Sequence, residues 1–303
     1  MAAGLLGIEE LSRGDIETIL DRARAFQPQP GLSFQRSTSC QGKMIVNLFF
    51  EASTRTRTSF EIAARRLGAE TISITASGSS VSKGESLVDT LNTLVAMRPQ
   101  AIVMRHAASG APHFLSRHLT TPIVNAGDGT HEHPTQALLD ARTILDRRGS
   151  LEGLKIAIIG DIAHSRVARS NVYLLSKFGV NIVLCGPPPL LPRGMAQIAP
   201  GVTLEYDIRT AIRDADVIMM LRVQLERLHE PSMPAGEYFQ FYGLRLEHLS
   251  GASPDVMVMH PGPINRGREI SSEVADSQRS LILNQVENGI AVRMAVLERV
   301  LLP

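Results

Sequence analysis

Short runs of valine, isoleucine and leucine alternate with stretches of helical spacing along nearly the whole chain, and this rhythm constrains the fold more than any other feature. "MIVNLFF" leads to a helical segment from residue 54, then "TISI", a helix over "ESLVDTLNTLVAM", "AIVMR", a short helix, "PIVNAG", and a long helix over "HPTQALLDARTILDRR". After Gly149 the alternation resumes with "LKIAIIG", a helix over "RVARSNVYLLSKFG", "NIVLCG", a helix near "RGMAQIA", "TLEYD", a helix over "DIRTAIRDA", and "DVIMMLR". Strands separated by helices pair in parallel, with the helices as crossovers covering the sheet. The prediction is an α/β protein of two doubly wound parallel-sheet domains with helices on both faces and an active site between them. The domains are expected at residues 1–148 and 149–284, with the last helix, about 285–303, packing back onto the first. A leading helix from Ser12 to Phe26 places Ile16, Ile19, Leu20 and Ala23 on one face.

Composition narrows the function. A 303-residue chain with 44% hydrophobic and 20% charged residues carries enough apolar material for two ordinary domains. Its net charge of +1 argues against nucleic acid or a membrane surface as partner, because binders of either carry a broad basic excess. Cys40 and Cys185 are too few and too far apart for a disulfide framework, and no Cys/His spacing matches a zinc site. No 18-residue apolar run occurs, and Glu9 and Glu10 interrupt the start, so a cytoplasmic location is expected.

The segment "FFEASTRTRTSF", residues 49–60, sets Arg55 and Arg57 at a helix start, where the macrodipole is already positive. Ser53 suits an N-cap, and the hydroxyls of Ser53, Thr54 and Thr56 join the open backbone N–H groups and the guanidiniums, so every group there donates. Such a cluster becomes favourable when a dianion sits at the helix start. The plainer alternative is a solvated helix start whose arginines pair with Glu51 and Glu61. No G-x-x-x-x-G-K-[ST] is present, so a nucleotide triphosphate is not implied.

Other stretches are individually weaker. "SGSSVSKGES" is a Gly/Ser run with one cation, Lys83. "AIVMRH" ends a strand on Arg105 and His106, at the strand end where open α/β sheets gather ligands. In "DGTHEHPTQ", His131 and His133 bracket Glu132 before a helix opened by Pro134, a lone H-x-H without a third metal ligand at a recognised spacing. "IAIIGDIAHSRVARSN" has Gly160 where a dinucleotide fingerprint needs three glycines, which excludes NAD, but it puts Arg166 near a helix start. "MMLRVQ" adds Arg222 and Gln224 on one side of an extended segment, and "MVMHPGPINRG" runs a strand into a rigid turn.

In this order, "STRTR", "SKGE", "MRH", "HPTQ", "GDIAHSR", "RVQ" and "HPGP" resemble the catalytic chains of the aspartate carbamoyltransferase family over nearly the entire sequence. The resemblance implies transfer of a carbamoyl group from carbamoyl phosphate to L-aspartate, a step of pyrimidine synthesis, with no metal or organic cofactor. It implies a phosphate cradle of Ser53, Thr54, Arg55 and Thr56, with Thr56, Arg105 and His133 donating to the carbamoyl oxygen. Gln136 and the main chain at Gly262 and Pro263 would hold the carbamoyl NH2. Arg166 would take the α-carboxylate of aspartate, and Arg222 with Gln224 the side-chain carboxylate. Lys83 and a loop serine, Ser79 or its neighbour Ser80, would reach the site of an adjacent subunit in a homotrimer. The trimer in turn would stand alone or join regulatory or dihydroorotase-like chains. Ornithine carbamoyltransferases share the phosphate half, but their late turn reads "HCLP" rather than "HPGP", and a cationic substrate needs an acidic partner where Arg222 stands. A non-catalytic phosphate-sensing subunit of the same fold is the reading from a different class.

Overall fold

A computed structural model of the chain describes residues 4–28, 32–34, 36–75, 86–223 and 234–302. Two compact units emerge, Met1–Arg142 with Glu287–Pro303, and Thr143–Val286. Each is an α/β domain built on one parallel sheet.

The first unit contains α1 (Arg13–Phe26), β1 (Met44–Phe49), α2 (Thr54–Arg66), β2 (Glu70–Thr75), α3 (Leu87–Ala96), β3 (Ala101–His106), α4 (Ala111–Ser116) and β4 (Ile123–Asp128). Ser12 starts α1 with a capping box, its hydroxyl accepting from Asp15 N at 3.1 Å while the Asp15 carboxylate accepts from Ser12 N at 3.2 Å. The helix buries Ile16, Ile19, Leu20 and Ala23, the face that its spacing predicts. The sheet order is β2-β1-β3-β4. Residues 45–49 of β1, 101–105 of β3 and all of β4 are buried, as strands covered on both faces must be, while β2 lies at the edge with Ile72 exposed. Val46, Leu48, Leu91, Ile102, Met104 and Leu115 pack one of its cores.

Helix α5 (Pro134–Arg148) and the last helix, α10 (Ile282–Leu301), each contain a division between the units. From α10, Asn288 Oδ1 accepts from Gln27 Nε2 at 2.6 Å, Arg299 reaches Asp15 at 3.0 Å, and Glu298 accepts from Arg22 at 2.9 Å.

The second unit contains β5 (Lys155–Ile159), α6 (Arg166–Ser176), β6 (Asn181–Cys185), β7 (Val202–Glu205), α7 (Ile208–Ile212), β8 (Val217–Met220), α8 (Ala235–Tyr242), β9 (Met257–Met259) and α9 (Ser272–Ala275). Its sheet order is β7-β6-β5-β8-β9. The helix expected near "RGMAQIA" is a 3-10 turn, Arg193–Gln197, because Pro192 and Gly194 leave too short a run for α-helix nucleation. α7 likewise stops at Ile212, and two residues on, Asp214 takes a left-handed φ of 56°. Both cysteines are free and buried, and burial pushes the Cys185 thiol up to about 12.

Candidate active site

Strand order decides where each unit can bind a ligand. In the first sheet the chain leaves β1 toward β2 on one side and leaves β3 toward β4 on the other. The carboxyl ends of β1 and β3 therefore flank a topological switch point, where the loops diverge and open a crevice. Phe49 and Arg105 are register partners across it, and Phe50 N donates to Arg105 O at 2.9 Å.

From that edge β1 runs into α2, with Ser53 at the N-cap position. Contrary to the expectation from sequence, the Ser53 hydroxyl makes no capping bond. Its φ is −160°, against −71° at Ser12 and −92° at Ser165, the two serines whose hydroxyls do cap their helices. The first turn of α2 has no acidic residue, and Thr56 is buried. Arg57 approaches Glu61 at 3.7 Å, whereas Glu51 goes to Arg105, whose Nη2 donates to Oε1 at 2.6 Å. The plainer reading thus holds for Arg57–Glu61, and Glu51 pairs with a buried arginine of β3.

A further cation lies behind. Arg293 of α10 is buried, donating to Ser59 Oγ and Gly289 O at 2.9 Å each, with the Phe60 ring 5.2 Å away. Burial, and secondarily the Arg55 charge, push its pKa down to about 10 against the opposing pull of Asp140. The charge of Arg55, near the start of α2, is thus close enough to act on Arg293.

His133 arrives on the turn after β4, where His106 and Asp128 are register partners. Asp128 is fully buried and accepts from Gly110 N at 2.6 Å, Asn125 Nδ2 at 2.8 Å and Glu132 N at 3.1 Å, with His131 Nδ1 at 3.0 Å. Glu132, also buried, accepts from Ile8 N at 2.8 and 3.0 Å and from Glu9 N at 3.2 Å. These bonds fix the turn on both sides of His133, itself buried, whose carbonyl accepts from Gln136 N and Ala137 N. Gln136 Nε2 donates to Asp140 Oδ1 at 2.9 Å, so the acceptor-only carboxylate sets which end of the amide is the carbonyl. Among the described residues, His113, Asp128 and His131 bring possible metal ligands within 4.8 Å of one another. The four partners of Asp128 already account for its oxygens as turn-building acceptors.

In the second unit the switch point lies between β5 and β8, where Ile159 and Met220 are partners and Leu221 N donates to Ile159 O at 2.8 Å. Gly160 follows with φ 143°, and a Cβ there would meet Leu221 Cβ at 2.8 Å, so only glycine fits. Asp161 accepts from His164 N at 3.1 Å and faces its Nδ1 at 2.9 Å, shaping the turn into α6. Ser165 caps that helix, accepting from Ala168 N at 3.1 Å, and Arg166 is its first residue, buried. Arg222 follows β8. Thus Arg166 and Arg222 leave the two strands that flank the switch. On the neighbouring β9, the chain turns at His260 into the Gly262–Pro263 bond, which is cis. Ser79, Ser80, Lys83 and Gln224 lie outside the described residues.

Comparison with known proteins adds a second line of observation. Residues 4–146 match the family model described as the aspartate/ornithine carbamoyltransferase carbamoyl-P binding domain, and 152–300 match the Asp/Orn binding domain. The chain belongs to the aspartate/ornithine carbamoyltransferase family. It is 78% identical over 301 residues, 99% of this chain and 100% of the relative, to the aspartate carbamoyltransferase catalytic subunit of Solibacter usitatus. Among solved carbamoyltransferases, an aspartate transcarbamoylase from Trypanosoma cruzi with N-(phosphonacetyl)-L-aspartic acid superposes with a TM-score of 0.88 at 32% identity, covering 98% of this chain and 95% of that one. An ornithine carbamoyltransferase from Pyrococcus furiosus follows the same fold with a TM-score of 0.87 at 28% identity, covering 98% and 96%. Both branches of the carbamoyltransferase family share this architecture, so the fold does not choose between aspartate and ornithine.

Motif reading missed the buried supports: Asp128, Glu132, Asp140 and Arg293. The one signal available for the first two was acidic residues crowding a short turn between an apolar strand and a helix. Asp140 and Arg293 lie inside helical stretches where a charge reads as solvated.

Proposed function

We propose that this chain transfers the carbamoyl group of carbamoyl phosphate to the amine of L-aspartate, giving N-carbamoyl-L-aspartate and phosphate, the second step of de novo pyrimidine synthesis. The observation that carries the reading is the start of α2: a Ser53 hydroxyl that makes no capping bond and no acidic residue in the first turn, on the strand end whose Phe49 is in register with Arg105 at the switch point. Residues 1–148 with the last helix, about 285–303, serve carbamoyl phosphate, and residues 149–284 serve L-aspartate, in keeping with the descriptions of the two matching family models.

In this reading Ser53, Thr54, Arg55 and Thr56 cradle the phosphate. Thr56, Arg105 and His133 donate to the carbamoyl oxygen, and Gln136 with the main chain at Gly262 and Pro263 accepts from the carbamoyl NH2. Arg166 takes the α-carboxylate, and Arg222 with Gln224 the β-carboxylate. The neutral amine of aspartate attacks the carbonyl carbon, whose oxygen gains negative charge that the three donors stabilise. The bond from that carbon to the phosphate oxygen then breaks, and the departing phosphate takes the amine proton, so no separate general base is required. His133 acts as a donor, a role that the neutral imidazole fills with one N–H.

Aspartate is preferred over ornithine because two arginines follow the switch-point strands and the late turn reads "HPGP". The 78%-identical relative carries the aspartate name as well. A homotrimer in the cytoplasm, with Ser79 and Lys83 entering the neighbouring site, completes the proposal. Two free, buried cysteines suit a reducing compartment, and among the described residues no helix is long and apolar enough to cross a membrane. Calorimetry with N-(phosphonacetyl)-L-aspartate tests the site: binding by the wild type and a large loss in Arg55→Ala are expected. No uptake by the folded wild type would contradict the proposal.

A further inference from the structure

The turn after β9 contains a device that the reaction as described does not use. In Pro261–Gly262–Pro263 two residues have no N–H, so Gly262 supplies the only main-chain donor of the tripeptide. That donor is consumed internally: Gly262 N gives its hydrogen to Nδ1 of His260 at 2.8 Å. Nδ1 must therefore carry its lone pair, and the ring proton sits on Nε2. On that side stands Glu269, its Oε1 3.3 Å from Nε2, with both side chains wholly excluded from solvent. The pair is close, yet its angles fall short of a hydrogen bond, and His260 Nε2 and Glu269 Oε2 remain buried without hydrogen-bond partners.

The same carboxylate reaches the far end of the turn. Glu269 Oε1 accepts from Asn265 N at 3.2 Å and from Asn265 Nδ2 at 3.1 Å. His260 itself is anchored through its own N–H, which donates to Gln285 Oε1 at 3.0 Å. Gly262 has φ 63°, the left-handed region open to glycine. A buried imidazole and a buried carboxylate thus hold the turn from both ends. With its one N–H occupied, the tripeptide can offer a ligand nothing but carbonyl oxygens.

We propose that His260 and Glu269 are paired positioning residues that make the Pro261–Gly262–Pro263 turn an acceptor-only surface, selecting a ligand group that donates, namely the –NH2 of a carbamoyl moiety. The inference rests on the reading of Gly262 and Pro263 as holders of the carbamoyl NH2. Glu269 favours the proton on Nε2. The lone pair at Nδ1 then holds Gly262, and the carbonyls of the turn are kept in place.

The test is initial-rate kinetics of carbamoyl transfer in parallel with calorimetric binding of inorganic phosphate, which the α2 start holds without the turn. His260→Ala and Glu269→Ala are each expected to lower kcat by about 10- to 100-fold, the scale of a misplaced reacting group. Phosphate affinity should stay within about twofold, since a group acting on the carbamoyl end leaves phosphate binding alone. The double variant should be no worse than the poorer single one, because the pair acts as a unit. His260→Asn, whose amide oxygen can take the Nδ1 position, should recover most of kcat, while His260→Gln, which reaches the Nε2 position instead, should not. That contrast decides the matter even where the alanine variants fail to fold. Full activity in His260→Ala, equal activity in the Asn and Gln variants, or phosphate affinity falling in step with kcat would overturn the pairing. A wild type that does not transfer carbamoyl at all would instead overturn the function on which it rests.

Discussion

Arg105 and Glu51 face each other at 2.6 Å across the switch point of the first sheet, the arginine side chain 11% exposed and the glutamate 23%. That carboxylate is a counter-charge the arginine already holds. Removing one partner of a fully buried pair costs about 3–5 kcal/mol, and the partial exposure of Glu51 brings the expected loss in Glu51→Gln to about 1–2 kcal/mol. Inorganic phosphate should then raise the melting temperature of Glu51→Gln more than that of the wild type, since it replaces a missing counter-charge. Equal shifts in a phosphate titration would place the anion away from Arg105.

His133 is expected to matter for chemistry more than for binding. In His133→Ala, kcat should fall by about 100-fold, the effect of losing one donor to a developing oxyanion, about 3 kcal/mol. The dissociation constant for phosphate should change far less. Steady-state kinetics beside calorimetry separate the two effects. A parallel loss in both would make His133 a phosphate ligand.

The turn that carries His133 has its own pH signature. The hydrogen bond to Asp128 is the main cause holding the His131 pKa above its ordinary 6.5, and it outweighs burial. Asp128 is held low: burial, its largest single influence, pushes upward, but the bonds from His131, Asn125 and Gly110 together prevail. A raised histidine pKa contributes stability that is fully present below 6.5 and is lost as pH rises through the folded value. The wild type should therefore exceed His131→Gln in thermal stability most clearly below pH 6.5, with the gap closing as pH rises. A gap independent of pH would show that the imidazole acts only by packing.

Gly160 packs tightly against Leu221 at the second sheet's binding edge. In Gly160→Ala the new methyl would sit 2.8 Å from Leu221 Cβ at a φ of 143°, a combination expected to cost about 1–3 kcal/mol. Because Arg222 follows Leu221 directly, the Michaelis constant for aspartate should rise together with the loss in stability. Denaturant unfolding and substrate titration of the same variant check both.

How much of this could be read from the chain depended on the range of the interaction. Ile16, Ile19, Leu20 and Ala23 announce their buried face by spacing alone, and the apolar runs of β1, β3 and β5 announce covered strands, because those signals lie within one element. Strand order is not local: nothing in "MIVNLFF" says that it sits between "TISI" and "AIVMR", so the switch points that gather Ser53 with Arg105, and Arg166 with Arg222, appear only in the fold. The same holds for the Glu51–Arg105 and His260–Glu269 contacts, whose partners lie on separate segments of the chain. Ser53 shows the opposite failure. Its position signals a cap, yet its hydroxyl makes no capping bond to the helix.

The most direct measurement is turnover by the purified chain with carbamoyl phosphate and either L-aspartate or L-ornithine, following the carbamoylated product and phosphate together. The expected result is N-carbamoyl-L-aspartate and phosphate in equal amounts, with no product from ornithine. Turnover of ornithine in preference to aspartate, or phosphate binding without turnover of either, would contradict it.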